Sequence, residues 1–76
     1  MGKPKKLKRL IKAAKMGNPY AMYRLGICFE TGHLTGQDTQ KAAMWIGKAC
    51  ELGYAPAVEW VNDYLFDDDP LVQAQS

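Results

Sequence analysis

The feature that most restricts what this chain can become is an internal repeat. Displaced by 36 residues, Lys12-Ala13-Ala14-Lys15-Met16-Gly17 falls on Lys48-Ala49-Cys50-Glu51-Leu52-Gly53. The same displacement sets Leu10 on Ile46, Ala21 on Ala57 and Leu25 on Val61. Periods of roughly 20–50 residues mark chains built by stacking one small unit. A chain of 76 residues holds about two copies. Such a unit buries its apolar side only against its neighbour, so the array shares one continuous core.

Residues 38–53 make the clearest single element. Asp38 is a good N-cap, its carboxylate able to accept from a free N–H of the first turn. Ala42, Trp45, Ile46 and Ala49 then recur at i, i+3, i+4 and i+7, and Leu52 extends the stripe. Gly53 supplies the positive φ that ends a helix. Upstream, Leu7, Leu10, Ile11 and Ala14 predict a helix over about residues 5–16, stopped by Gly17. Asn18-Pro19 restarts the chain, with Asn as cap and Pro at the first helical position, where its missing N–H costs nothing. The second helix carries Ala21, Leu25, Cys28 and Phe29 on one side and stops at Gly32. The fourth, over about 55–66, carries Ala57, Val61, Tyr64 and Leu65. Asp67-Asp68-Asp69-Pro70 ends it: three acids oppose the helix dipole, and Pro70 disfavours helix at the preceding residue.

No strand-like alternation with turn chemistry occurs. The expected fold is all-α, a short antiparallel helix-turn-helix solenoid of about four helices. Residues 1–6 form a basic N-terminus, 7–66 the helical repeat domain, and 67–76 an acidic stop and tail.

Composition narrows the class. With 47% hydrophobic and 24% charged residues the chain has the make-up of a globular protein and not of a disordered one. A domain this small buries only about 60% of its unfolded surface, so its stability is marginal. No apolar run approaches the ~20 residues of a membrane span, and the basic N-terminus has no apolar segment or cleavage site of a secretory signal. Cys28 and Cys50 match neither a zinc spacing nor a CxxC pair. They read as small buried thiols in a reducing compartment, which places the protein in the cytoplasm.

The residues 20–57 resemble the Sel-one-like repeat, a relative of the tetratricopeptide repeat made of helix A, a loop and helix B. The resemblance rests on Ala21, Leu25, Gly26, Phe29, Gly32, Asp38, Lys41, Ala42, Trp45, Lys48, Ala49, Gly53 and Ala57, all in the family's register. It implies one full repeat flanked by a half repeat on each side. Three departures matter. The loop's G-x-G-V is Gly32-His33-Leu34-Thr35, without the second Gly and the Val. Cys50 replaces a second Ala. Asn62 stands where the pattern has a Gly that admits the next helix, so with Glu59 and Asp63 the last helix reads as a polar end cap. The first helix is the mirror case, a helix B without its A, with Arg9 at the place of Trp45.

The resemblance also implies a function. Such repeats serve mainly as scaffolds that bind partners across the face lined by A helices. Here that face draws on Met22, Tyr23, Arg24 and Ile27, and on Glu59, Trp60 and Asp63. Trp45 matches the family's structural aromatic, whereas Trp60 lies off the apolar stripe and is the candidate anchor. Two pairs of helices fall below the three repeats usually wanted for independent stability, so either the caps suffice or the chain docks on itself or on another chain, and association is the favoured expectation.

Charge is unevenly spread. Residues 1–38 hold eight Lys and Arg against two acids, +6, and residues 39–76 hold two Lys against six acids, −4. Lys5, Lys8, Arg9, Lys12 and Lys15 make an electrostatic patch on the first helix. Three readings stay open for it: a solvated end face, a footprint for nucleic acid or anionic membrane, and head-to-tail contact with the acidic end of another copy. His33 stands alone, with no second histidine or nearby cysteine, so it suggests neither a metal site nor a catalytic dyad. Asp67–Asp69 read as a solvated terminus. No Ser/His/Asp set, phosphate loop or dinucleotide fingerprint is present, and no cofactor is implied. The expectation is a non-enzymatic protein–protein interaction module, an adaptor, scaffold or regulatory subunit. The alternative is a basic accessory protein that binds nucleic acid or anionic membrane through the first helix.

Overall fold

The computed structural model describes residues 4–66. The acidic stop and tail predicted at 67–76, and residues 1–3, lie outside the described residues. Four helices follow in order: α1 (Lys5–Lys15), α2 (Pro19–Thr31), α3 (Thr39–Glu51) and α4 (Ala55–Phe66). Each packs on its chain neighbour, α2 on α3 most extensively. The links at 16–18 and 52–54 are hairpin connections of the length that turns one helix back on the last. The architecture is that of a small helical repeat.

The repeat is written into the backbone hydrogen bonds. At the end of α1, Met16 N–H donates to the Lys12 carbonyl at 3.1 Å, Gly17 N–H to Ala14 at 3.0 Å and Asn18 N–H to Ala13 at 3.1 Å. At the end of α3 the equivalents recur: Leu52 to Lys48 at 3.2 Å, Gly53 to Cys50 at 2.9 Å and Tyr54 to Ala49 at 3.1 Å. Both turns need a residue in the left-handed region, and Gly17 (φ 96°) and Gly53 (φ 81°) provide it without a Cβ to clash.

The predicted caps are made. Asn18 Oδ1 accepts from Ala21 N–H at 3.2 Å and Asp38 Oδ1 from Lys41 N–H at 3.1 Å. The loop at 32–38 is anchored to the end of α2, since Asp38 N–H donates to the Phe29 carbonyl and Gln37 Nε2 to that of Glu30, both at 2.8 Å. Its departure from the repeat pattern has a visible consequence. Leu34, at the position of the pattern's second Gly, takes φ 69° all the same. A left-handed Leu costs about 1–2 kcal/mol, offset by packing its half-buried side chain on the core.

Leu7 and Ala14 of α1, Ala21, Met22 and Leu25 of α2, Ile46 and Ala49 of α3 and Ala57 of α4 form one cluster. Its centre is the crossing of α2 and α3. A Cβ added at Gly26 would collide with Cγ1 of Ile46 and stand 3.0 Å from the Ala42 carbonyl oxygen. The absence of a side chain there sets how closely the two helices approach.

Two expectations for the stripes need correction. Leu52 is 57% exposed, because α3 ends at Glu51 and Leu52 already belongs to the turn. Among the α4 residues whose burial is described, Ala57 alone is buried, while Tyr64 (69%) and Leu65 (61%) face outward. Among the described residues, α4 packs mainly on α3, so its far side is uncovered.

Glycine substitutions in α2 and α3 should move stability in opposite directions. Gly26→Ala should cost about 1–3 kcal/mol by overpacking against Ile46. Gly47→Ala, where nothing lies within 4 Å of the added Cβ, should gain up to ~1 kcal/mol from helix propensity. Asn18→Ala should cost about 1 kcal/mol through loss of the α2 cap. Urea unfolding followed by far-UV circular dichroism measures all three.

Candidate interaction surface

The expected partner face does not stay together as one surface. Met22 is only 8% exposed and belongs to the core, so it is withdrawn from the face. It lies one helical turn before Gly26, the residue set against α3. Ile27 is half-buried against the same cluster. Tyr23 joins an aromatic group in which the Tyr54 ring lies 5.6 Å from Tyr23 and 6.2 Å, edge-on, from Tyr20. Glu59 is exposed on α4. The remaining residues, Arg24, Trp60 and Asp63, divide between two grooves.

The first groove, about 430 Å³, runs between α2 and α4 with α3 as its floor. Glu30 comes from α2, Thr39, Ala42 and Ala43 from α3, and Trp60, Asp63 and Tyr64 from α4. The small side chains of the floor leave the space open. Trp60 and Tyr64, one helical turn apart, stack with centroids 5.2 Å apart and planes within 7° of parallel. Trp60 is half-buried by this packing. Glu30 Oε2 is buried and has no hydrogen-bond partner. Among the described residues two carboxylates and no cation line the groove, so its field is negative. An aromatic wall beside two carboxylates, one of them with an unpartnered oxygen, is a surface that attracts an ammonium or guanidinium group.

The second groove, about 450 Å³, lies between α1 and α2. Lys6, Arg9 and Arg24 make it basic, around Leu10, Ala13, Ala21 and Cys28. It is the repeat equivalent of the first: Lys6, Arg24 and Cys28 stand 36 residues before Ala42, Trp60 and Tyr64. Burial pushes the Cys28 thiol up, a shift that the charge of Arg24 partly opposes. Cys28 and Cys50 are both unpaired.

All five residues of the basic patch, Lys5, Lys8, Arg9, Lys12 and Lys15, are exposed. Lys12 and Lys15 sit in the last turn of α1, where they complement the helix dipole. Lys5 and Lys6 open the helix, at its positive end, with no acid in the first turn to relieve them. On α3 the cations have aromatic neighbours, with Lys48 Nζ 4.9 Å from the Trp45 ring centre and Lys41 Nζ 5.5 Å from that of Phe29. Trp45 is half-buried on the flank of α3 and lines neither groove.

Three groove residues escape a reading of the sequence. Tyr64 was assignable to the apolar stripe, yet its spacing of four from Trp60 is the signal of an aromatic pair on one helix side. Glu30 and Thr39 carry no such signal, because their proximity depends on how the 32–38 loop folds. Among the described residues, no helix is long and apolar enough to cross a membrane, and no three His, Cys, Asp or Glu side chains cluster as metal ligands.

No curated protein and no solved structure matches the chain. Residues 19–54 match the family model described as the Sel1 repeat, a repeat of protein-interaction type. The matched span begins at the first residue of α2 and ends in the turn after α3. The part of the chain similar to a Sel1 repeat is therefore the stretch that forms α2, the 32–38 loop and α3, with its close crossing at Gly26.

Proposed function

We propose that this chain is a non-catalytic protein–protein interaction module, an adaptor, scaffold or regulatory subunit. A partner segment carrying Lys or Arg occupies the groove between α2 and α4. The observation that carries this reading is the stacked Trp60–Tyr64 pair beside the unpartnered Glu30 carboxylate and Asp63. A cationic side chain laid on the rings gains a cation–π contact and gives Glu30 the donor it lacks. Apolar surface from Ala42 and Ala43 receives the stem of that side chain. The unpaired Cys28 and Cys50 support a reducing, cytoplasmic setting. Binding of nucleic acid or anionic membrane through the basic patch is the second reading, favoured only by the exposure of Lys5, Lys8, Arg9, Lys12 and Lys15.

Short peptides that differ only in carrying Lys, Arg, Gln or Glu at their centre separate the readings. Nuclear magnetic resonance titration should show shifts at Glu30, Trp60, Asp63 and Tyr64 for the Lys and Arg peptides alone. Trp60→Ala should weaken binding by about 2 kcal/mol or more, and Glu30→Gln with Asp63→Asn should erase the preference for cations while helicity stays unchanged. Equal binding of the Glu peptide would refute the acidic groove as the site. Tight, salt-sensitive binding of RNA or anionic vesicles, abolished by Lys8→Glu with Lys12→Glu, would favour the second reading instead.

A further inference from the structure

We propose that α1 of one molecule docks on α4 of another, so that copies join head to tail. The repeat displacement makes the case. In the α2–α3 pair, α2 presents residues 22, 26 and 29, and α3 presents 42, 46 and 49. Gly26 is set against Ile46 and Ala42, and the Phe29 ring lies beside Lys41. Moved 36 residues forward, the α2 side becomes Val58, Asn62 and Leu65 on α4. Moved 36 residues back, the α3 side becomes Lys6, Leu10 and Ala13 on α1. Each chain therefore carries both halves of its central crossing a second time, at opposite ends, and among the described residues both halves stay partly open.

The exposures agree. Leu65 is 61% exposed, Asn62 is exposed and Val58 half-buried. On α1, Leu10 and Ala13 are half-buried and line the open basic groove with Lys6 and Arg9. Charge supplies the choice of occupant. α1 holds five Lys, one Arg and no acid, whereas α4 holds Glu59 and Asp63 and no cation. Lys5 and Lys6 oppose the dipole of their own helix, and an acidic helix laid against them relieves that conflict. In the α2–α3 arrangement Lys41 sits beside Phe29, so Lys5 of one molecule lies beside Leu65 of the next, with its stem on the leucine.

Asn62 sets the strength of the contact. A side chain at this place keeps α4 from approaching α1 as closely as Gly26 lets α2 approach α3, and its amide instead meets Lys6. The pairing is thus a looser copy of the internal one, and association is reversible. The contact joins different surfaces on the two molecules, so a pair leaves one half free at each end and growth beyond the dimer continues with concentration.

Mixing two blocked variants tests this. Leu65→Asp disables the α4 side at an exposed position, and Lys5→Asp with Lys6→Asp disables the α1 side while suiting the helix N-terminus. Neither change touches the groove of Glu30, Trp60, Asp63 and Tyr64, so peptide binding there is read separately. By sedimentation at low ionic strength, the unmodified protein should gain mass with concentration, and added salt should reverse it. Each variant, with unchanged helicity, should stay monomeric or associate at least about tenfold more weakly. Their equimolar mixture should form a species of twice the monomer mass and grow no further. An unmodified chain that stays monomeric at every concentration overturns the proposal. So does a mixture that stays monomeric, or a single variant that still associates as the unmodified chain does.

Discussion

The approach of α2 to α3 at Gly26 governs the rest of the molecule. With no side chain at that position, Ile46 and the backbone of Ala42 press directly on α2, and Leu25 and Ile46 are fully buried as a result. The crossing fixes where α1 and α4 find their own apolar seats, since each packs on one member of the pair. In a domain with so small a core, interior packing has little redundancy. The grooves follow from the same geometry. The outer helices cannot close over the flanks of the pair, and the space left between α2 and α4 is floored by alanines.

Much of this was legible in the residues because the determinants are local. Asn18 and Asp38 cap the helices that follow them, and Gly17, Gly32 and Gly53 stop the helices before them, through hydrogen bonds spanning a few positions. The 36-residue displacement carried over from sequence to hydrogen-bond pattern for the same reason. What escaped depends on distant parts of the chain. Met22 is buried in the cluster that the four helices build together. Tyr64 is exposed because α4 has one main neighbour. Glu30 and Thr39 meet only through the fold of the 32–38 loop, where Leu34 adopts a conformation that a pattern of glycines would have announced and a leucine does not.

The two grooves give one scaffold two opposite charges. They occupy equivalent places in successive units, yet Lys6, Arg9 and Arg24 make one positive, and Glu30 and Asp63 make the other negative. The backbone and the small core residues obey the repeat; the groove-lining charges do not. The difference in charge therefore resides in side chains that the repeat leaves free, so stacked units can differ in surface chemistry without changing shape.

The ring of Tyr54 has a consequence for folding. It stands where the preceding unit has the cap Asn18, and its carbonyl still accepts from Ala57 and Val58 N–H at 3.0 Å to begin α4. Its side chain, however, rests on Tyr20 and Tyr23 of α2. The start of α4 is thereby tied to a helix two elements back, across α3. Stacked helices usually communicate only with the next in line and can peel away from an end one by one. Here the residue at which α4 begins rests on the second helix as well as on the turn after α3, a tie that skips one element of the stack.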